Sequence, residues 1–553
     1  MKKRTLLFFA LLLPGLIQAG EDLMRFRVYL KDKQITQSSA YSFSIPAFQL
    51  NSATLNIIPA LSQISLKRRM AQDIDLDSTD YPVSENYLKS IRDQGFTIVT
   101  QSRWMNTAVV SAPDSLCINT LVSLPFVKSV QLVWRNPSTS KILKSNLAAK
   151  DLRVEVDSSK YYGKADLQIN MLNLMDLHSA GHKGAGKIIA VVDAGFYGVD
   201  TMSWFKDLSL VAAKDFIYPP SNIYQGHAHG TSVLSVLAAN EEYYFVGSAP
   251  EADYCLLRSE DVLSEYPIEE DYWIAAAEFA DSIGVDIIST SLGYFTYDMA
   301  ELSYQIDQLD GKTAFITRAA NIAATKGMLL IFSAGNEGNK VWKKISFPSD
   351  AENVLTIGSV QSDFSKSAFS SVGPTSDGRI KPDLMACGSN DYILNGAGIL
   401  TKGSGTSFST PLVTGLAACI WGNWPNLKAN ELRQYIKESG DRAEYPDTLY
   451  GYGIPNAREI MLALRVPFEK NDKANYYCYP NPAKDKLYFS ESHISDEPLE
   501  VTIYNTLGQK MMKKKFDGAF SYLDVSHLPN AVYLVDIIVS GSFKHCCKIL
   551  INK

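Results

Sequence analysis

The feature that most constrains the fold is a regular alternation of apolar strands and helices in the middle of the chain. The segments "KIIAVVDAG", "VDIISTSLG" and "GMLLIFSAGNEG" are nearly uninterrupted apolar runs that end in glycine. Strands of this kind are buried on both faces, which is typical of a parallel sheet with helices on both sides. Between the first two, "DYWIAAAEFADSIG" predicts a helix that ends at Gly284. We therefore predict that residues 156–465 form a mainly parallel, doubly wound α/β domain, with functional sites at the C-terminal ends of its strands.

The chain of 553 residues is too long for one domain, and the regions on either side of the centre have patterns of their own. The basic "MKKRT" followed by the short apolar run "LLFFALLL" predicts a signal peptide over residues 1–19. Residues 20–155 show the order βαββαβ, which predicts a ferredoxin-like α+β domain that has a long insertion at about 38–80 and ends in a polar linker. After a charged linker at residues 466–475, short strands and turns over residues 476–553 predict a β-sandwich.

Composition excludes some classes of function. The net charge is only −6, from 53 basic and 59 acidic residues, which argues against nucleic acid as the main partner. Seven cysteines without regular spacing do not predict a disulfide framework. No segment after the signal peptide is apolar enough to predict a membrane span.

Three polar residues stand at the ends of the predicted strands or the starts of helices. Asp193 follows four apolar residues and precedes Ala-Gly, so it lies where a strand stops. His229 opens the helical segment "HGTSVLSVLAAN", and Ser407 lies in "GSGTSFSTPLVTG", where Pro411 is expected in the first turn of a helix. Taken singly, each residue has an ordinary structural interpretation: Asp193 as a turn residue, His229 as part of a polar loop and Ser407 as part of a glycine-rich loop.

Together these residue types suit nucleophilic catalysis. A serine hydroxyl is a poor nucleophile until a base takes its proton, and a buried carboxylate holds an imidazole in the tautomer that can do so. A serine at a helix N-terminus also has backbone N–H groups and the positive end of the dipole beside it, where an oxyanion would form. Asn336, in "SAGNEG" after an apolar strand, is a candidate for the second oxyanion donor.

The motifs "IAVVDAGF", "HGTSVLS", "SAGNEG" and "GTSFSTP", in this order, resemble those of the subtilisin-like serine peptidases, the subtilases. The stretches "GSAPEA", "FSSVGPTSDGRIKPDL" and "GYGIPNA" are similar to further parts of that family. The resemblance implies that Ser407 is the nucleophile, that His229 is the general base, and that Asp193 orients His229. It also implies that the Asn336 side chain and the Ser407 backbone N–H hold the oxyanion.

The same resemblance implies a site for extended peptide substrates. The segment Ser291-Leu292-Gly293 is expected to pair with the substrate and to wall the primary specificity pocket, with Gly335 as a further binding residue. The floor of this pocket is expected near Ser346-Phe347. No acidic cluster marks a residue for basic substrates, which favours apolar or broad specificity.

Three positions depart from the usual pattern of the resembled family. Ala194 stands where a threonine or serine is usual, Ser232 replaces a frequent histidine, and Cys387 replaces a usual proline. None of these changes removes a group that the reaction needs. They bear on the tuning of the reaction rather than on its type.

The flanking regions carry resemblances as well. Residues 20–155 resemble subtilase propeptides, which assist folding and inhibit until they are cleaved off, and the cleavage is expected between about 136 and 162. The segments "YPNPAKDKLYFS" and "VTIYNTLGQK" resemble the C-terminal sorting domain of Bacteroidetes type IX secretion cargo, although Asn530-Ala531 stands where a glycine is usual. An accessory β-sandwich for attachment is the alternative. The chain is thus expected to be secreted or at the cell surface, or periplasmic if this domain is not an export signal.

The expected partners are protein or peptide substrates, the chain's own propeptide as an intramolecular inhibitor, and the export machinery. Two alternatives to a serine endopeptidase remain. One is a catalytically silent subtilase-like binding scaffold. The other is a metallohydrolase built on His227 and His229, for which no further Asp, Glu or His ligands stand at suitable spacing. We otherwise expect His227 to be an exposed neighbour, and no cofactor to be needed for chemistry, while structural calcium is possible at ligands that the sequence does not identify.

Overall fold

A computed structural model describes residues 23–34, 47, 60–136, 160–465, 476–479, 483–491, 499–505, 508–516, 522–539 and 542–553. The predicted signal peptide, the second linker and most of the segment expected to contain the cleavage point lie outside these residues. The chain divides into two compact units, residues 1–465 and 466–553. Each is described by itself.

The N-terminal domain has the predicted βαββαβ order, with one additional helix in its insertion. Its elements are β1 (Met24–Leu30), α1 (Gln63–Ala71), α2 (Glu85–Asp93), β2 (Thr97–Ser102), β3 (Thr107–Ala112), α3 (Cys117–Ser123) and β4 (Val127–Arg135). The strands form one antiparallel sheet in the order β2-β3-β1-β4. Phe26 and Val28 of β1 share a buried core with Leu88 and Ile91 of α2, which lies on one face of this sheet.

The central domain begins with α4 (Asp166–Met171) and contains the predicted alternation of strands and helices. The elements that follow are α5 (Leu174–Ser179), β5 (Ile188–Asp193), β6 (Ser209–Asp215), α6 (His229–Ala238), β7 (Asn240–Glu241), β8 (Phe245–Val246), β9 (Asp253–Arg258), α7 (Ile268–Ile283), β10 (Ile287–Thr290), α8 (Phe315–Thr325), β11 (Leu329–Ser333), β12 (Leu355–Val360), β13 (Leu384–Cys387), β14 (Asp391–Leu394), β15 (Leu400–Gly403), α9 (Thr406–Asn423), α10 (Ala429–Glu438) and α11 (Ala457–Arg465). Gly284 ends α7 in a left-handed conformation at φ 96°, as predicted.

A seven-stranded parallel sheet in the order β13-β12-β11-β10-β5-β9-β6 lies at the centre of this domain. Alternate residues of β5 point to opposite faces. Ile189 and Val191 pack into the core that contains α6 and α9, whereas Ala190 and Val192 pack into the core that contains α7 and α8. Both faces are thus covered by helices, which is why the strands are apolar without alternation and why the predicted fold class is confirmed.

The position of Pro411 differs from the prediction. Helix α9 begins at Thr406, so Pro411 lies in its second turn and not its first. Because proline has no backbone N–H, it cannot donate to the carbonyl of Ser407, which lies four residues earlier. That carbonyl instead accepts a hydrogen bond from the hydroxyl of Ser291 at 3.0 Å.

The N-terminal domain packs against the layer formed by α7 and α8 through buried ion pairs. Asp281 of α7 accepts hydrogen bonds from the guanidinium groups of Arg68 at 2.5 Å, Arg69 at 2.8 Å and Arg103 at 2.8 Å. Burial alone would raise the pKa of the Asp281 carboxyl, but the three arginines outweigh this effect and lower it to about 2. The carboxylate therefore remains ionised inside the interface.

A second buried pair lies further along the same helix. Arg27 of β1 donates to Asp271 at 2.6 Å and lies 3.4 Å from Glu270, with its guanidinium 3.5 Å from the ring centroid of Phe315. The carboxylate of Glu278 accepts a hydrogen bond from the hydroxyl of Ser102 at 2.6 Å. The buried acids of α7 that face the N-terminal domain are thus neutralised by groups from that domain.

The C-terminal unit consists of short antiparallel strands, as the sequence predicts. They are β16 (Tyr476–Tyr479), β17 (Lys486–Glu491), β18 (Leu499–Asn505), β19 (Lys510–Phe516), β20 (Leu523–Asp524), β21 (Ala531–Val539) and β22 (Ser542–Ile551). Strands β16-β17-β20 form one sheet and β19-β18-β21-β22 another, and residues from both sheets, among them Leu487 and Val501, share one core. This arrangement is a β-sandwich.

Two other expectations concern the whole chain. Among the helices that the structure describes, none is both long and apolar enough to cross a bilayer. Cys117, Cys255, Cys387 and Cys419 are free thiols.

Candidate active site

The predicted site residues meet at the C-terminal edge of the parallel sheet. Asp193 is the last residue of β5, which lies between β9 and β10. The segment Ser291-Leu292-Gly293 directly follows β10, and Asn336 follows β11. His229 opens α6 and Ser407 lies in the first turn of α9, on the face of the sheet that these two helices cover.

Asp193 and His229 are joined by a short hydrogen bond. His229 Nδ1 lies 2.7 Å from Asp193 Oδ1, and this oxygen also accepts the backbone N–H of Ala194 at 2.7 Å. Burial alone would lower the pKa of His229, but the charge of Asp193 and the hydrogen bond outweigh it, so the pKa lies above its ordinary value. The arrangement leaves His229 Nε2 as the ring nitrogen that can accept a proton.

The other carboxylate oxygen of Asp193 has no hydrogen-bond partner among the described residues. Asp193 is fully buried, so this oxygen lacks both protein donors and bulk solvent. Ala194, which stands where the resembled family usually has a hydroxyl residue, supplies no side-chain donor. The departure noted in the sequence therefore coincides with an unsatisfied polar atom in the structure.

Ser407 is linked to the predicted substrate segment from two sides. Its hydroxyl donates to the carbonyl of Ser291 at 3.4 Å, while its carbonyl accepts from the Ser291 hydroxyl. The ring of Phe408, the next residue, lies with its centroid 6.3 Å from that of His229. Among the described residues, the Ser407 hydroxyl forms this hydrogen bond to Ser291 and none to the ring of His229.

Asn336 is held at the start of α9 by its side-chain oxygen. Asn336 Oδ1 accepts the backbone N–H of Thr406 at 2.9 Å and the Thr406 hydroxyl at 3.2 Å. The NH₂ end of the amide is thereby left to donate elsewhere. The backbone N–H of Ser407, in the first turn of α9, has no acceptor within the helix.

The residues expected to form the specificity pocket also come together. A Cβ built on Gly293 would lie 2.1 Å from Ser346 Oγ, and one built on Gly335 would lie 3.2 Å from the same atom. The Ser346 hydroxyl is buried and has no hydrogen-bond partner among the described residues. Both glycines thus permit a close approach of backbone to Ser346, and Gly335 has a φ of 103° that favours glycine.

His227 is exposed, as predicted, and is engaged in a local contact. Its Nδ1 accepts the backbone N–H of His229 at 3.2 Å, and the two ring centroids are 6.4 Å apart. Since the Nδ1 of His229 is bonded to Asp193, one nitrogen of each ring is already used. This geometry does not favour a shared metal ion.

The structure brings three acidic side chains together near the site, which the sequence interpretation did not anticipate. Carboxylate oxygens of Glu260, Glu265 and Glu269 all lie within 4.8 Å of one another. Glu260 follows β9 closely and accepts the phenol of Tyr294 at 3.2 Å. Residues 260–271 carry six acids in twelve positions, so the acidic stretch is visible in the sequence. The order of strands, which places the end of β9 beside Asp193, is what brings it to the site.

Comparisons with known families agree with the arrangement of domains. Residues 184–453 match the family described as "Subtilase family", residues 25–149 match "Peptidase S8 propeptide domain, Bacteroidota", and residues 477–552 match "Secretion system C-terminal sorting domain". The three matches do not overlap and follow the order of the domains described above.

Individual relatives are more distant. Subtilisin NAT of Bacillus subtilis subsp. natto is 27% identical over 367 residues, which cover 66% of this chain and 82% of that protein. Serine protease AprX of Bacillus subtilis (strain 168) is 28% identical over 309 residues, which cover 50% of this chain and 66% of that protein. Among solved structures, MycP1 from the ESX-1 type VII secretion system aligns with a TM-score of 0.43 and 19% identity, covering 55% of this chain and 87% of that one.

Proposed function

The central domain of this chain belongs to the subtilase family of serine peptidases, and on that premise we propose that the protein is a secreted endopeptidase, made as a zymogen, that hydrolyses peptide bonds through Asp193, His229 and Ser407. The observation that supports this proposal most directly is the 2.7 Å hydrogen bond between His229 and Asp193. This hydrogen bond lies at the same edge of the sheet as Ser407, which is in the first turn of α9. A carboxylate, an imidazole and a helix-start serine are the groups that acyl transfer requires.

In the proposed reaction, His229 Nε2 takes the proton of the Ser407 hydroxyl as the oxygen attacks the scissile carbonyl carbon. The new C–O bond turns the carbonyl oxygen into an oxyanion, which the Asn336 amide and the Ser407 backbone N–H stabilise. His229 then gives its proton to the leaving amine as the C–N bond breaks, which leaves an acyl-enzyme on Ser407. Water activated by the same imidazole hydrolyses this ester and restores the serine.

Substrate would bind as an extended strand along Ser291-Leu292-Gly293, with one side chain in the pocket near Gly335 and Ser346. The two hydrogen bonds between Ser291 and Ser407 support this role, because they set the distance between the substrate segment and the nucleophile. No metal takes part in these steps. A structural calcium ion is proposed, but no residues are assigned as its ligands.

The flanking domains are proposed to direct the export of the peptidase and to inhibit it before cleavage. The C-terminal sorting domain indicates export to the medium or the cell surface, and the export machinery is the proposed partner of this domain. The propeptide domain is proposed to assist folding and to inhibit the peptidase until it is cleaved. Its buried ion pairs with α7 support a tight intramolecular complex.

A fluorophosphonate probe tests the proposal. We expect it to label the processed wild-type protein on Ser407, and to leave the Ser407→Ala variant unlabelled. Absence of labelling and of peptide cleavage in the processed wild type would instead favour the catalytically silent scaffold. Activity that survives chelators but is lost in Ser407→Ala excludes a metallohydrolase.

A further inference from the structure

A cluster of three carboxyls lies beside the candidate active site and takes no part in the proposed reaction. We call Glu260, Glu265 and Glu269 the acidic triplet, since their carboxylate oxygens lie within 4.8 Å of one another. Glu260 and Glu265 are partly buried, whereas Glu269, on the first turn of α7, is fully buried. The triplet therefore has a closed inner end and an open outer end.

The position of the triplet follows from the register of the sheet. Asp193 pairs with Arg258 at the ends of β5 and β9, and the backbone N–H of Ser259 donates to the carbonyl of Asp193 at 3.1 Å. Glu260 is the next residue. Its carboxylate accepts the phenol of Tyr294, which directly follows Gly293 of the proposed substrate segment. Glu260 thus lies between the Asp193 side of the site and the segment along which a peptide would bind.

The buried member of the triplet lacks a counter-charge. One oxygen of Glu269 accepts the backbone N–H of Asp261 at 3.3 Å, and the other has no hydrogen-bond partner among the described residues. The other buried acids of α7 differ from it, because each contacts an arginine of the N-terminal domain. They are Glu270, Asp271, Glu278 and Asp281. An ionised buried carboxylate without a counter-charge is costly, so burial favours the protonated form of Glu269 until a cation enters the triplet.

Electrostatics are consistent with this view. Burial raises the pKa of Glu260 to about 7, and burial followed by the charges of Glu260 and Glu265 raises the pKa of Glu269 well above its ordinary range. A cation in the pocket would favour the ionised forms of both groups. Among the described residues, no lysine or arginine forms an ion pair with Glu260 or Glu269 in the manner of Arg27 with Asp271.

We propose that the acidic triplet binds a cationic group of the peptide substrate, on the amino side of the bond to be cleaved. The group is an ammonium or guanidinium, from a lysine or arginine side chain or from the free N-terminus of the substrate. This inference rests on the proposed peptidase function and adds a substrate class to it. The open end beside the substrate segment favours a substrate group over a resident metal ion.

The test uses the secreted, processed protein and four pairs of quenched fluorogenic peptides. Each pair differs only in having lysine or norleucine at one of the four positions before the scissile bond, and each peptide is made with an acetylated and a free N-terminus. At one position, or with a free N-terminus only, we expect kcat/KM for the cationic peptide to exceed that of its neutral partner by about tenfold or more, the size of a charge-assisted hydrogen bond.

Two variants connect this preference to the triplet. Glu260→Gln and Glu269→Gln should bring the cationic-to-neutral ratio close to one, whereas Glu352→Gln, at an exposed glutamate elsewhere in the domain, should leave it as in wild type. Active-site titration with the fluorophosphonate normalises each rate to correctly folded protein. Dependence on a side chain or on the free N-terminus distinguishes the two sources of the cation, and either result supports the proposal.

Three outcomes would overturn this proposal, and a fourth would contradict the proposed function on which it rests. Equal rates for all pairs in wild type, or a ratio that the triplet variants do not change, would leave the peptidase function intact and remove the cation pocket. Melting temperatures that rise with Ca²⁺ in wild type but not in Glu269→Gln, without a substrate preference, would assign the pocket to a metal ion. Failure of the processed wild type to cleave any peptide faster than Ser407→Ala would contradict the proposed function itself.

Discussion

The Ser291 hydroxyl donates a 3.0 Å hydrogen bond to the carbonyl of Ser407, the carbonyl that Pro411 leaves without its helical partner. The substrate segment and the helix of the nucleophile are therefore joined at a buried position. Ser291→Ala should remove the donor and leave the carbonyl unsatisfied, at a cost of about 1–3 kcal/mol in stability. Urea unfolding of the Ser407→Ala protein with and without the second change measures this cost. Ser291→Thr keeps the hydroxyl and should recover much of the loss.

A serine in place of Ala194 should stabilise the folded protein, because Asp193 has an oxygen without a hydrogen-bond partner among the described residues. In Ala194→Ser, a hydroxyl next to the carboxylate could donate to Asp193 Oδ2, which has no partner among the described residues. A hydrogen bond to a charged group contributes about 1.5–3 kcal/mol, so the melting temperature of the Ser407→Ala protein should rise. Ala194→Val adds bulk without a donor and should not stabilise. Equal melting temperatures for the serine and alanine forms would argue that this oxygen already has a donor in solution, such as water.

The two neighbouring histidines should differ sharply in their effect on activity. His229→Ala removes the group bonded to Asp193 and should lower kcat by on the order of 10⁴-fold or more, a scale known from subtilisin itself. His227→Ala removes an exposed ring whose contact is local, so kcat/KM should change only modestly. Steady-state kinetics on a peptide substrate compare them. The reverse order of effects would contradict the assignment of His229 as the base.

The pH dependence of activity should reflect the raised pKa of His229. The base must be neutral, and Asp193 holds its pKa above the ordinary value despite burial, so kcat/KM should fall on the acid side with a midpoint above about 6.5. Glu260, whose pKa is about 7, titrates in the same range. The profile of Glu260→Gln on a neutral peptide separates the two groups, because an acid limb that persists there belongs to His229. An acid limb well below pH 6 would contradict the prediction.

The buried ion pairs between the N-terminal domain and α7 should dominate the stability of the zymogen. Arg69→Met leaves Asp80 and Asp281 without one of their partners, and breaking a buried pair in this way costs about 3–5 kcal/mol. Lys89→Met, which breaks an exposed pair with Asp93, should cost less than about 1 kcal/mol. Urea unfolding of the two variants in the Ser407→Ala background gives the comparison. Similar values for the two would contradict the dominance of the buried pairs.

The ion pairs of Asp281 in the same interface should resist mild acid. The pKa of Asp281 is lowered to about 2, so its contribution to stability is present above its ordinary pKa and is lost only as the pH falls towards 2. Acidification to pH 5 therefore leaves this part of the interface charged.

Local patterns in the sequence were enough to predict the fold and most of the site. Buried parallel strands are continuous apolar runs, and Asp193, Asn336 and Ser291 each follow such a run. The ends of parallel strands meet at one edge, so residues that are far apart in the chain could be expected to meet there. His229 and Ser407 stand at helix starts for reasons that are also local, since glycine and small residues surround them.

Other features depended on the tertiary structure. Pro411 was predicted one turn too early, because the exact start of α9 depends on its packing and on the hydrogen bonds that Thr406 donates to Asn336. The pairing of Arg69 with Asp281 joins residues 212 positions apart, and neither residue carries a local signal of its partner. A charged residue looks the same in a sequence whether it is solvated or buried.

The sequence by itself determined the class of fold, the order of the domains and the residues proposed for catalysis, because these follow from periodicity and from motifs of adjacent residues. Only the tertiary structure decided which charges are paired and which are not. Glu269 and Glu270 are neighbours in the chain, yet Glu270 contacts Arg27 whereas Glu269 points into the acidic triplet beside the site. The difference arises because successive residues of a helix face different surroundings, and those surroundings come from distant parts of the chain.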